Sequence, residues 1–232
     1  MKLPLSNRLL ACCGFVRPGD RVADIGCDHG YLGIYLLQNG IASAVIAADV
    51  NAGPLQCARE NALKFGVQNR MQTYLSDGVQ QIPRDFDTMV CAGMGADTMI
   101  SILSAAPWLK DSRYRLILQC QSKRPELRRY LAAGGFSITR ETLAQDGKFI
   151  YPVTEVVYQP GQTPAPWEYY ATKQLLNDNS PLLPQFLRRV IGGLEDSLPG
   201  ARQKGEDAVC ELEEILTHLR ETEKELSNGN RL

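Results

Sequence analysis

The sequence has no apolar run approaching the ~18 residues of a membrane span, so no transmembrane helix is expected within its 232 residues. It has no CxxC pair, and its cysteines at 12, 13, 27, 57, 91, 120 and 210 are odd in number, several inside apolar strand-like runs. A disulfide framework is therefore excluded, no metal is expected, and reduced, mostly buried thiols in a cytosol fit best. A strong charge bias is missing too: 25 Lys+Arg face 26 Asp+Glu, a formal net charge of −1. Residues 1–160 carry 17 basic against 14 acidic side chains, and residues 161–232 carry 8 against 12. This mild polarity permits nucleic-acid binding by the first part without demanding it, because phosphate contacts depend on clustering. The cysteines of "LLACCGFV" evoke a lipoprotein cleavage box, but Arg8 stands directly before this segment with no apolar region ahead of it, so no targeting segment is expected.

What is present is an alternation of apolar β-rich runs with amphipathic stretches, from "RVADIG" and "YLGIYLLQNG" to "YRLILQCQ" and "PELRRYLAAGG". Strands alternating with helices imply right-handed βαβ units and a parallel sheet. Gly40, Gly66 and Gly134 stand where C-terminal helix caps belong. After Phe136 two β-type runs follow without a helix between them, separated by Asp146-Gly147, a strong hairpin signal. The expected fold is α/β: a Rossmann-like class I methyltransferase domain, with a mostly parallel seven-stranded sheet whose last strand is antiparallel, plus a C-terminal helical coiled-coil hairpin. "QPGQTPAP" places the boundary near Gln159, dividing the chain into 1–160 and 161–232. Two helices joined by "PGARQKG" are expected in the second part, with a seam through Val209, Leu212, Leu216, Leu219 and Leu226 broken by Glu223.

The loop after the first strand carries the sharpest signal. Dinucleotide sites use G-x-G-x-x-G, with a helix N-terminus facing a pyrophosphate. Here Asp24-Ile25-Gly26-Cys27-Asp28-His29-Gly30 reads D-x-G-x-D-x-G. Two carboxylates repel pyrophosphate but suit S-adenosylmethionine, with its sulfonium and ammonium charges. Asp49, followed by Val50, ends the second strand where an acid accepts ribose hydroxyls. Asp77-Gly78 ends the third, where Asp77 would accept from an adenine amino group, and "AGMGA" ends the fourth, leaving room for a flat ring.

Taken together, "LSNRL", "DIGCDHGYL", "ADVNAGPLQCARENA", "SDGV", "AGMGADTMISIL", "LILQCQ" and "GKFIY" resemble the bacterial TrmK family, over about Leu5 to Tyr158 and again in the helical tail. The resemblance implies methylation of N1 of adenine-22 in tRNA with S-adenosylmethionine. It implies that Asp24, Gly26, Asp28 and Gly30 surround the methionine part of the donor. It assigns Asp49 to the ribose, Asp77 with Gly78 to the adenine, and Gly93-Met94-Gly95 to the floor of the transfer site. The sequence departs from the family at Gly33, where proline is common, at Ala96, where "AGMGG" is common, and at Leu118-Gln119-Cys120-Gln121, where "LQPN" is common.

Adenine N1 is a neutral lone pair, so alignment carries most of the chemistry. Asp28 or the amide oxygen of Gln119 could stabilise the positive charge that develops on the purine, and His29 could orient substrate. Arg8, Lys123, Arg124, Arg128 and Arg129 are expected to hold phosphates, with Arg188 and Arg189 adding local contacts from the acidic tail. N1 is the base-pairing atom, so local opening or flipping of the base is expected. The partners expected are tRNA and no membrane, for a cytoplasmic chain that is monomeric. Rival readings are a methyltransferase for another RNA, a protein or a small molecule, and a non-catalytic adapter. An amino-directed N6 methylase is excluded, because "AGMG" stands where an Asn/Asp-Pro-Pro-aromatic motif would be needed.

Overall fold

The computed structural model describes residues 3–227. Seven strands form one sheet: β1 (Arg21–Ile25), β2 (Ala44–Asp49), β3 (Met71–Leu75), β4 (Thr88–Met94), β5 (Arg115–Cys120), β6 (Phe136–Asp146) and β7 (Phe149–Tyr158). Their order is β3-β2-β1-β4-β5-β7-β6. Strands β1 to β5 are parallel, and β7 runs antiparallel to both β5 and β6. The Rossmann-like methyltransferase fold expected from the alternating runs is present.

Helices α1 (Asn7–Cys13), α2 (Tyr31–Gln38) and α3 (Ala52–Lys64) cover one face, and α4 (Ala96–Ser104) with α5 (Arg124–Ala133) the other. The central strands β1, β2, β4 and β5 are mostly apolar because both their faces are buried, whereas the edge strands β3 and β6 carry exposed polar residues. Val22, Val45, Val90 and Ile117 point into the first core, and Ala23, Ile46, Met89 and Leu116 into the second. Gly40 and Gly66 take the positive φ of helix-ending glycines, but at the end of α5 that conformation falls on Gly135, with Gly134 still right-handed. The hairpin turn is Gly147-Lys148, one residue beyond the predicted pair, because Asp146 is still in register with Phe149.

The tail differs from the predicted two-helix hairpin. After short α6 (Lys173–Leu176) come α7 (Leu183–Glu195), α8 (Leu198–Lys204) and α9 (Glu206–Ser227), so the expected linker "PGARQKG" is itself helical. Pro199 is tolerated in its first turn, and Gly205 (φ +117°) separates it from α9. Phe186, Leu187, Ile191 and Leu194 pack on Leu212, Ile215, Leu216 and Leu219. This third core also takes in Leu143 and Ile150 from the β6–β7 hairpin, so the tail packs against the sheet's edge.

Candidate active site

The order of the strands sets the turns after β3, β2, β1, β4 and β5 side by side along the carboxyl edge of the sheet. The strand order reverses between β1 and β4, the position at which open α/β sheets bind ligands. A cleft of about 250 Å³ lies there, lined by Arg8, Asp24, Gly26, Cys27, Asp28, His29, Tyr31, Gly93 and Met94 among others.

Asp24 is buried, and its Oδ2 has no hydrogen-bond partner. Burial, opposed by the Gly33 N–H and reinforced by Asp49 and Asp28, pushes its carboxyl up to about 7. Asp49 is held from two sides: its Oδ2 accepts the Asp28 N–H at 3.2 Å and its Oδ1 the Asn51 N–H at 2.9 Å. Asp28 itself sits in a left-handed conformation (φ +49°) with its side chain largely exposed, 3.5 Å from His29 Nε2. The His29 ring lies 5.8 Å from that of Tyr31. Glycine is required at two lining positions. Gly26 (φ +72°) and Gly93 (φ +82°) hold left-handed backbone that side chains strain, while a Cβ at either would meet only movable side-chain ends, Met94 Cε and Arg8 Nη1.

Other predicted residues stand apart from the cleft. Gly30 is the buried N-cap of α2. Val50 is exposed on the rim beside Asp49. Asp77 and Gly78 occupy the turn after β3, where the Asp77 N–H donates to Gln81 Oε1 at 2.9 Å.

Two expectations need correction. The Gln119 amide oxygen accepts from Arg8 Nη1 at 3.0 Å and from the Gly93 N–H at 3.1 Å, so it braces the β4 turn rather than meeting a developing cation. Its Nε2 is buried without a partner, and a donor cannot stabilise positive charge. Arg8, also expected to hold a phosphate, lies in the cleft itself, with Nε 3.4 Å from Asp146 Oδ2. The basic run after β5 is also not one surface. Arg128 is buried, donating to Glu141 Oε1 at 2.5 Å and to the Tyr169 carbonyl at 3.1 Å. Arg124 is half-buried over the Phe186 ring, its guanidinium disfavoured by burial. Lys123 pairs with Asp97 at 2.7 Å, which raises its pKa. Arg129 is exposed and spans the rings of Tyr169 and Tyr170. In the tail, exposed Arg188 approaches Glu223 at 3.5 Å.

Sequence reasoning missed Cys27 and Tyr31 as lining residues and Asp146 as the ion-pair partner of Arg8. Tyr31 lay within a quoted motif, and Asp146 was visible only as a turn residue. Among the described residues no helix is long and apolar enough to cross a membrane, and no group of three metal-capable side chains occurs. All seven cysteines are free, and burial pushes the Cys12 and Cys91 thiols up to about 12.

A Rossmann-like sheet with a carboxylate-lined cleft at its reversal point defines the class of a methyltransferase fold. The chain belongs to the methyltransferase domain family, whose pattern matches residues 5–154. It is similar to the tRNA (adenine(22)-N(1))-methyltransferase of Bacillus subtilis, 32% identical over 149 residues, 63% of this chain and 63% of that protein. It also aligns with 59% of a Mycoplasma genitalium relative, so it spans about three fifths of these curated relatives. Among solved structures, a protein of the NADB-Rossmann superfamily from Streptococcus agalactiae superposes with a TM-score of 0.82 at 27% identity, covering 96% of this chain and 98% of that one. TrmK of M. capricolum, in complex with S-adenosyl-homocysteine, superposes with a TM-score of 0.77 at 25% identity, covering 95% and 98%.

Proposed function

We propose that the protein is a cytoplasmic, S-adenosylmethionine-dependent methyltransferase acting on N1 of adenine-22 in tRNA. The observation that carries the donor reading is the buried Asp24 carboxylate, lining the cleft with Oδ2 unpartnered. An ammonium group placed there would satisfy that oxygen and favour its ionised form. Asp49, oriented by two backbone N–H groups, has lone pairs left for a ribose. The acceptor reading rests on the motif resemblance and on the tRNA (adenine(22)-N(1))-methyltransferase among the relatives.

The donor would supply an electrophilic methyl group. The residues of this chain position rather than activate, since adenine N1 needs no base. Gln119 and Arg8 brace the Gly93 turn as the floor of the transfer site. We assign to the exposed Asp28 carboxylate, at the cleft's edge, the role of offsetting positive charge arriving on the purine. His29 shares that edge and acts through Asp28. Asp77, Gly78 and Val50 would flank the adenine of the donor. We assign residues 1–160 to donor binding and catalysis and residues 161–232 to a helical unit that brackets the tRNA, with Lys123, Arg129 and Arg189 supplying exposed charge.

The test is mass spectrometry of nucleosides after incubating protein, donor and unmodified tRNA. N1-methyladenosine should form in a tRNA with adenine at position 22 and not in one with guanine there. Asp49→Ala should lose donor affinity by calorimetry. Methyl transfer to metabolite extract and none to tRNA would overturn the assignment.

A further inference from the structure

The β6–β7 hairpin reaches past the strand it flanks. Its pairing with β5 ends at Leu118↔Thr154, yet β7 begins at Phe149, five residues further out. At ~3.3 Å per residue that is an overhang of about 16 Å beyond the last β5 pair. The overhang is tied to the cleft, because Asn7 Nδ2 donates to the Gln145 carbonyl at 3.0 Å and Arg8, a cleft residue, pairs with Asp146. Asp146 and Phe149 are register partners, so their side chains share one face of the hairpin, with Tyr151 two residues on.

That face ends in an aromatic ledge. Phe149 is 51% exposed, the only aromatic among the exposed large hydrophobic side chains of the described residues. Its ring centroid lies 6.0 Å from that of Tyr151, and Lys148 Nζ lies 5.3 Å from it. An exposed ring with a cation beside it suits a nucleobase and its phosphate, since base–aromatic stacking tolerates any base and the ammonium adds charge. Asp146, the acid on the same face, is already engaged by Arg8.

We infer that Lys148, Phe149 and Tyr151 form a stacking ledge for an unpaired nucleotide of the RNA substrate, beside the cleft that takes the target base. A base extracted for methylation leaves an unstacked neighbour, and the ledge gives that neighbour a surface. The inference rests on the RNA reading of the same site.

Filter binding of unmodified tRNA to the full chain, with S-adenosylmethionine present, tests it. Phe149→Ala should weaken tRNA binding about fivefold or more, the low end of a lost base stack. Phe149→Leu, which keeps apolar bulk, should weaken it too, and Phe149→Trp should stay near wild type. Lys148→Gln should reduce the slope of log affinity against log salt by about 1. Leu63→Ala, at a more exposed apolar residue on α3, should change nothing, and donor affinity by calorimetry should be the same in every variant. Unchanged tRNA affinity and KM in Phe149→Ala and Phe149→Leu overturn the ledge. So does a change of mass in light scattering with tRNA binding intact, which would make the ring a contact between copies. If Phe149→Ala loses tRNA binding while wild type methylates no tRNA, the ledge stands and the proposed reaction falls. If wild type binds no tRNA, both fall.

Discussion

The two ends of the sheet treat charge in opposite ways. At the amino ends of the strands, Arg115 donates to Glu155 Oε2 at 2.8 Å, to Thr88 Oγ1 at 2.7 Å, to the Phe15 carbonyl and to Asp20, while Thr139 completes Glu155. At the carboxyl ends, polar atoms outnumber their partners: Asp24 Oδ2 and Gln119 Nε2 are buried and unsatisfied, as is Ser6 Oγ at the head of the helix that carries Arg8. Buried polar groups are ordinarily paired. An end of a domain where they are not is an end prepared for a ligand, and the saturated end is the one that holds the fold.

The comparison can be broken by exchanging the roles. Arg115→Met leaves Asp20 and Glu155 buried without their cation and should cost about 3–5 kcal/mol. At roughly 2–4 °C per kcal/mol for a chain of this size the melting point falls well beyond error. Donor affinity measured below that transition should be retained; if it is lost with stability intact, the division between the two ends is wrong.

Asp24→Asn acts in the opposite sense. The folded carboxyl titrates at about 7, above the 3.8 of the free group, so the folded chain binds the extra proton. Stability therefore falls as pH rises from about 4 through 7, and the cost is fully present above 7. The variant should be more stable than wild type at pH 8, by up to about 4 kcal/mol. The gap should close towards pH 4 in thermal melts, while donor affinity drops. A gap that does not vary with pH would remove Asp24 from the account.

The smallest effect is expected at the surface. Arg129→Glu should leave the melting point within about 2 °C of wild type, since surface changes rarely exceed ~0.5 kcal/mol. It should weaken tRNA binding severalfold at low salt and less at high salt. Arg128→Glu would place a second buried acid against Glu141 and should unfold the chain instead, which titration by circular dichroism would separate from an RNA defect.

Much of this was legible in one dimension. The parallel sheet followed from apolar runs buried on both faces, and the site from acids and glycines ending successive strands, because a βα turn after a parallel strand always opens on the same edge. Local signals failed where a longer-range partner decided. "PGARQKG" looked like a loop, yet Pro at a first turn and packing on α9 make it a helix. Arg128 is expected from sequence to hold a phosphate with Lys123, Arg124 and Arg129, yet Glu141, 13 residues beyond it, takes that cation inside.

What the sequence determined by itself was therefore the order of elements and the types of group at the carboxyl edge, since both depend on residue spacing along one strand or helix. Which of those groups would be satisfied was decided only in three dimensions. Gln119 met Arg8 from 111 residues away, Asp146 met it from the end of β6, and Asp24 met no partner for its second oxygen. Hydrogen bonding is settled by distance and angle between side chains brought together by packing, and no periodicity in the chain encodes that meeting.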